Sequence, residues 1–86
     1  MPQIEATPLT VHWGKRIRMA RQKRELSLNA MARMLEIDAG NLSRVERGLQ
    51  RLSDEMRVRV ATGLGERVDE LFAHPEPDDQ PAKQDA

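Results

Sequence analysis

The chain has 86 residues, no cysteine, and 14 basic residues balanced by 14 acidic ones, so its formal net charge is zero. This length allows one domain with a modest core, and the lack of cysteine excludes disulfides and thiolate metal sites. The first residues lack the basic and apolar regions of a signal peptide and no stretch is apolar enough to span a membrane, so we expect a cytoplasmic protein.

The N-terminal part predicts a short arm followed by a first helix. Residues 1–9 contain two prolines and show little periodicity, which indicates a flexible arm. Thr10 is a plausible N-cap for a helix that extends to about Arg24. Gly14 lies inside this pattern, so either the helix begins after it or it permits close packing. The buried side of this helix is formed by Trp13, Ile17 and Ala20.

Two short amphipathic segments follow, separated by only three residues. The first begins after Ser27, a candidate N-cap, and its apolar face is formed by Leu28, Met31, Ala32 and Leu35. The second begins after Asp38, another candidate N-cap, and ends at Gly48. Its inner face is formed by Ala39, Leu42, Val45 and Leu49, and its outer face by Gly40, Ser43, Arg44 and Arg47. Helices joined so tightly must cross steeply, which predicts a helix-turn-helix.

Two further helices complete the predicted domain. Ser53 and the two acidic residues after it predict a helix that extends to about Gly63, with Arg57 and Arg59 directed outward. Its buried side is formed by Met56, Val60, Ala61 and Leu64. A short fifth helix, from about Arg67 to Ala73, places against the core Val68, Leu71 and Phe72. The domain therefore spans residues 10–73.

The last part of the chain, residues 74–86, predicts a disordered tail. It contains three prolines, an excess of acidic residues, and no apolar side chain larger than alanine.

The charges are also unevenly distributed in the predicted domain, because residues 13–51 contain ten Lys/Arg and only four acidic residues. Such polarity can orient a protein on a polyanion. The alternative is that these charges only solvate the outer faces of a helical protein.

Residues 14–72 resemble the Cro/C1-type (XRE-family) helix-turn-helix domain of phage repressors and bacterial regulators. The shared motifs, in order, are Gly14-Lys15-Arg16-Ile17-Arg18 with Arg21, Ser27 with Met31-Ala32, the run from Leu42 to Gly48, Leu64-Gly65, and Leu71-Phe72. The resemblance implies an all-α, compact, five-helix domain of the lambda-repressor type. It further implies a homodimer that binds double-stranded DNA and regulates transcription, most simply as a repressor.

The resemblance also implies roles for individual residues. The helix over residues 39–47 enters the major groove, and Arg44 is the first candidate for base reading because a guanidinium can bind guanine O6 and N7 together. The other candidates for base contact are Asn41, which can pair with adenine, Ala39, which can pack on a thymine methyl, and Gly40. The candidates for phosphate contact are Ser43, Arg47, Ser27, Asn29, Arg33 and Arg16. For each surface arginine the alternative is a solvated charge.

A structural ion pair between Arg21 and Glu46 is expected from the same resemblance, with phosphate binding as the alternative role of Arg21. Several positions depart from the family pattern. Leu28 replaces a glutamine that contacts phosphate, Glu36 replaces a glycine in the turn, and Arg57 replaces an apolar residue. Ala39 and Gly40 lack the hydrogen-bonding side chains that often read bases. These departures concern the base-reading code more than the fold.

Other functions have fewer residues in their favour. His12 and His74 are far apart in the chain, and there is no glycine-rich phosphate loop or nucleophile constellation, so we expect no enzyme, metal or cofactor. One alternative is an antitoxin-type autorepressor that binds a toxin protein through its acidic tail. Another is a protein-interaction adaptor with a weakened DNA surface.

Overall fold

The computed structural model of the protein describes residues 6–74, which form five helices and no strand. The helices are α1 (Pro8–Lys23), α2 (Leu28–Leu35), α3 (Ala39–Glu46), α4 (Asp54–Leu64) and α5 (Val68–Leu71). None of these helices is long and apolar enough to cross a lipid bilayer. The all-α, five-helix prediction is confirmed. The predicted tail beyond His74, and the first five residues of the predicted arm, lie outside the described residues.

Helix α1 begins three residues earlier than predicted, and Thr10 is not its N-cap. Its N-cap is Thr7, whose Oγ1 accepts the backbone N–H of Thr10 at 3.1 Å, while the N–H of Thr7 donates to Thr10 Oγ1 at 2.9 Å. This reciprocal capping box has threonine where glutamate is usual, which hides it in the sequence. Pro8 at the first helical position has no N–H that needs a partner. The predicted arm of residues 1–9 was therefore wrong at Pro8 and Leu9.

The other helix ends follow from local sequence. The N-caps predicted for α2, α3 and α4 are confirmed, since each accepts a backbone N–H from three residues later, at 3.0 to 3.2 Å: Ser27, Asp38 and Ser53. Gly48, at a φ of +80°, ends α3 as predicted, and Leu49 N–H donates to the carbonyl of Arg44 at 2.8 Å. This is the Schellman arrangement, which places the residue after Gly48 back alongside the helix.

One core holds all five helices together. Its buried side chains come from every helix: Ile17, Ala20, Met31, Ala32, Leu35, Leu42, Val45, Val60, Ala61, Leu64 and Leu71, with Phe72 directly after α5. Trp13 and Met56, predicted as core residues, are only partly buried against it. The prediction that Val68 is buried was wrong, since this side chain is 38% exposed. Helix α5 is a single turn, and its inward side chains come at its end.

Gly14 determines how closely α1 approaches α3. A Cβ at this position would lie 2.4 Å from the carbonyl oxygen of Glu46 and 2.6 Å from that of Val45. The glycine therefore lies inside α1 and permits close packing, which selects one of the two alternatives left open by the sequence. Nearby, the buried Thr10 hydroxyl donates to the carbonyl of Gly48 at 2.8 Å. The C-terminal end of α3 is thus held directly on α1.

Arg57 does not point outward, contrary to the prediction. Its guanidinium carbon lies 4.6 Å from the centroid of the Trp13 ring and 5.8 Å from that of Phe72. The two rings meet edge to face at 5.7 Å, and a cation over such a surface is stabilised by the ring quadrupole. Arg59, in contrast, is exposed as expected. The aliphatic part of the arginine side chain can pack like an apolar residue, which explains how Arg57 can replace the apolar residue of the family pattern.

Candidate nucleic-acid interface

Helices α2 and α3 are joined by a turn that contains a strained residue. Glu36 ends α2 in the left-handed conformation, with φ +59° and ψ 43°, and its N–H donates to the carbonyl of Arg33 at 3.1 Å. Ile37 follows it, donates its N–H to Ala32 O at 2.9 Å, and packs partly buried against the core. The turn therefore keeps the geometry that glycine would adopt freely, although a Cβ makes it less favourable.

The outward side of α3 carries the residues predicted to contact DNA. Leu42 and Val45 are buried below it and attach the helix to the core. The remaining side chains reach the surface, partly for Ala39, Asn41, Ser43 and Arg44 and fully for Gly40 and Arg47. Arg47 is the C-cap rather than a residue of the helix, and its Nε donates to Ser43 O at 3.4 Å. Six of the predicted contact residues are thus brought together.

Arg44 is held by two side chains at this surface. Its Nε donates to Gln50 Oε1 at 3.1 Å, and its Nη2 donates to Asn41 Oδ1. Its Nη1 lies 3.9 Å from the point where a Cβ on Gly40 would stand, so the side chain extends toward the N-terminal end of α3. Gln50 was missed in the sequence because it lies beyond the predicted end of the helix. The turn at Gly48 was the signal that the chain returns to the same surface.

The remaining predicted contacts lie on two other helices. Ser27 and Asn29 are exposed at the start of α2, and Arg33 is exposed near its end. Ser27 Oγ already accepts the N–H of Ala30 at 3.0 Å. Arg16 is engaged elsewhere, because its guanidinium donates to the carbonyls of Leu71 at 3.1 Å and Glu70 at 2.8 Å. The structure therefore places Arg16 against α5 and not beside α3.

An ion pair joins the last residue of α3 to α1. Arg21 Nε and Nη2 donate to the two carboxylate oxygens of Glu46 at 2.7 and 3.0 Å, and Arg21 Nη1 donates to Leu26 O at 2.9 Å. The side chains are only 12% and 7% exposed. The hydrogen bonds to Glu46 raise the pKa of Arg21 above its ordinary value, so the guanidinium stays charged. Its engagement favours a structural role over phosphate binding.

Comparison with known proteins identifies similar helix-turn-helix domains and gene regulators. A family model described as a helix-turn-helix domain matches residues 13–74. The restriction-modification controller protein C.AhdI from Aeromonas hydrophila is 32% identical, with a TM-score of 0.70 over 73% of this chain and 96% of that one. The clp gene regulator ClgR from C. glutamicum is 27% identical, with a TM-score of 0.71 over 77% and 86%.

A third structure extends the likeness of fold. The hypothetical transcription factor NHTF from Neisseria is 21% identical, with a TM-score of 0.73 over 87% of this chain and 86% of that chain. At this identity the likeness concerns the fold alone. No curated protein sequence gave a significant match.

Proposed function

The chain belongs to the helix-turn-helix family of XRE-type transcriptional regulators, and we propose that it binds specific double-stranded DNA sequences by inserting α3 into the major groove. The observation that carries the proposal is the division of α3 into two faces. Its inner side chains are buried, and its last residue is paired with Arg21 on α1. Its outer face combines small residues with Arg44 and Arg47, so it can approach base edges closely while offering cationic donors.

We assign the outer residues by their chemistry. Arg44 reads guanine through a pair of guanidinium N–H groups, and Ala39 packs on a thymine methyl. Asn41 accepts a hydrogen bond from Arg44 and keeps its amide N–H groups for a base or phosphate. The residues assigned to phosphate contact are Ser43 and Arg47 on the α3 surface and Ser27, Asn29 and Arg33 on α2. Arg16 retains one free guanidinium nitrogen, Nη1, for such a contact.

We further propose that two copies bind together and repress transcription. Helix α3 has eight residues, about 12 Å of helix, so one copy covers only a few base pairs. Two copies on half-sites about one helical turn apart, roughly 34–36 Å, would double the contacts and require an approximately palindromic operator. Exposed apolar side chains on α4 and α5, Val58 and Val68, offer surface for self-association.

The test is selection of bound duplexes from a random pool, followed by salt titration on the selected sequence. We expect an approximately palindromic motif and an affinity that falls steeply with salt. Arg44→Ala should weaken binding to this sequence by about 1–3 kcal/mol and remove the preference at one base pair. Arg47→Ala should weaken binding to all sequences equally and reduce the salt slope by about one.

Arg67→Ala provides the control, because Arg67 is an exposed arginine on the N-terminal side of α5, paired with Asp69. It should change neither sequence preference nor the salt slope. Weak binding without any enriched sequence would contradict the proposal. The surface formed by Leu28, Ala39 and Gly40 would then belong to a protein-interaction adaptor.

A further inference from the structure

Gln50 lies outside α3, yet its side chain is bonded to the residue that we assign to base reading. We infer that Gln50 is a specificity-determining residue, which acts with Asn41 and Gly40 to hold the Arg44 guanidinium in its reading position before DNA arrives. This inference rests on the proposed function, because it requires a base pair whose recognition depends on Arg44.

The hydrogen bonds that hold Arg44 use only two of its five guanidinium N–H groups. A guanidinium has five N–H groups in a fixed planar arrangement. One, on Nε, donates to Gln50 Oε1 at 3.1 Å, and one, on Nη2, donates to Asn41 Oδ1. Both N–H groups of Nη1 and one of Nη2 remain. These three N–H groups are available for acceptors on a base such as O6 and N7 of guanine while both internal hydrogen bonds persist.

Gly40 provides the space in which the guanidinium lies. Arg44 Nη1 is 3.9 Å from the position of a Cβ on Gly40, and Gly40 is the outward residue one turn earlier on α3. A long side chain at this position would occupy the surface over which Arg44 extends. Gly40 has no side chain to bind a base, and its contribution to recognition is to let Arg44 reach the N-terminal end of α3.

The backbone after α3 fixes the position of Gln50. Gly48 adopts a φ of +80°, and a Cβ there would lie within 2.9 Å of the backbone of Val11, so the turn is packed directly on α1. Leu49 N–H then donates to the carbonyl of Arg44 itself. Gln50, which is half-buried, therefore comes from a rigid turn. An unrestrained arginine side chain has many rotamers, so holding it in advance reduces the conformational entropy that is lost when DNA binds.

The experiment compares two duplexes, the selected sequence and the same sequence with the Arg44-dependent base pair replaced. The ratio of their Kd values measures discrimination. We expect Gln50→Ala to reduce this ratio about threefold to tenfold, the range that one hydrogen bond supports. The same substitution in an Arg44→Ala background should have no further effect on the ratio. Gln50→Glu keeps an acceptor for Nε, so it should retain discrimination while its charge weakens binding to both duplexes.

Gln22→Ala is the matched control, because Gln22 is an exposed glutamine on α1. It should leave the ratio unchanged, and thermal unfolding of each variant verifies that it is folded. An unchanged ratio in Gln50→Ala, or an equal loss with both duplexes, overturns the inference. Tighter binding by Gln50→Ala also overturns it, because Gln50 would then compete with the base. A selected sequence without any Arg44-dependent base pair overturns the inference together with the assignment of Arg44 to base reading, whereas the absence of any selected sequence overturns the proposed function itself.

Discussion

At the scale of single residues, two features attach α3 to the rest of the domain. The bidentate pair between Arg21 and Glu46 is largely shielded from water, with side chains 12% and 7% exposed. The missing side chain at Gly14 lets the carbonyls at the end of α3 approach the α1 backbone. Both features act at the C-terminal end of α3, so they determine its orientation without using its outer face.

Removal of one member of the ion pair should be costly. Glu46→Ala leaves a charged and shielded guanidinium with only the carbonyl of Leu26, so we expect the free energy of unfolding to fall by about 2–3 kcal/mol. Urea denaturation measures the change. The control is Arg67→Gln, which removes an exposed pair with Asp69 and should leave the urea midpoint unchanged. Equal midpoints for Glu46→Ala and the wild type would show that the pair contributes nothing.

Gly14→Ala should also destabilise the domain, although alanine is the better helix former. The new Cβ would meet backbone oxygens at 2.4 and 2.6 Å, so α1 and α3 would have to separate, at a cost of about 1–3 kcal/mol. Gly63→Ala is the matched control in α4, since its Cβ would meet only side-chain ends, Leu35 Cδ2 at 2.9 Å and Met34 Cε at 3.4 Å, which can shift more easily than backbone. A Gly14→Ala variant as stable as Gly63→Ala would contradict the close packing.

At the scale of secondary structure, the sequence was most informative where the cause is local. Ser27, Asp38 and Ser53 could be identified as N-caps because each accepts a hydrogen bond from only three residues away. Arg57 could not be placed, because its surroundings come from Trp13 and Phe72, which are distant in the chain. The presence and order of all five helices were also predictable, because helical periodicity and capping depend on residues that are close in the sequence.

The candidate site shows the same limit. Arg44 and its neighbours could be assigned to one surface from helical periodicity alone. The bond between Arg44 and Gln50 could not, because it depends on a reversal of the chain after α3 and on the side-chain conformations at both residues.

The turn between α2 and α3 should become more stable with glycine. Glu36 is exposed and held at a φ of +59°, so Glu36→Gly should raise the free energy of unfolding by about 1 kcal/mol through relief of the left-handed conformation. Glu36→Ala removes the same carboxylate but keeps a Cβ, and it should show no such gain. Thermal unfolding of the three proteins tests this, and equal gains for both variants would assign the effect to charge.

At the scale of the whole molecule, contacts near the two ends of the described domain close it into one unit. Trp13 Nε1 on α1 donates to the carbonyl of Ala73 at 3.0 Å, and Arg16 donates to two carbonyls at the end of α5. Arg57 from α4 lies over the rings of Trp13 and Phe72. The short α5 therefore depends on α1 and α4, and we expect it to unfold with them.

This closure predicts that two different probes report one transition. Trp13 fluorescence senses the contact with α5, and far-UV circular dichroism senses the helices as a whole, so their urea midpoints should coincide. Phe72→Ala, which empties a buried position beside Trp13, should lower both midpoints together and the free energy of unfolding by about 3 kcal/mol. A fluorescence change that precedes the loss of helix would show that α5 detaches by itself.

The attachment of α3 by its inner face and C-terminal end has an evolutionary consequence. The residues that attach α3 to the core, Leu42 and Val45, differ from the residues of the same eight-residue helix that we propose to contact DNA. Substitutions at outward positions such as Asn41 and Ser43 can therefore accumulate with little effect on the core. On the proposed function, new sequence preferences can arise while Leu42, Val45 and Glu46 stay constant, and gene duplication can yield paralogues that bind different DNA sequences.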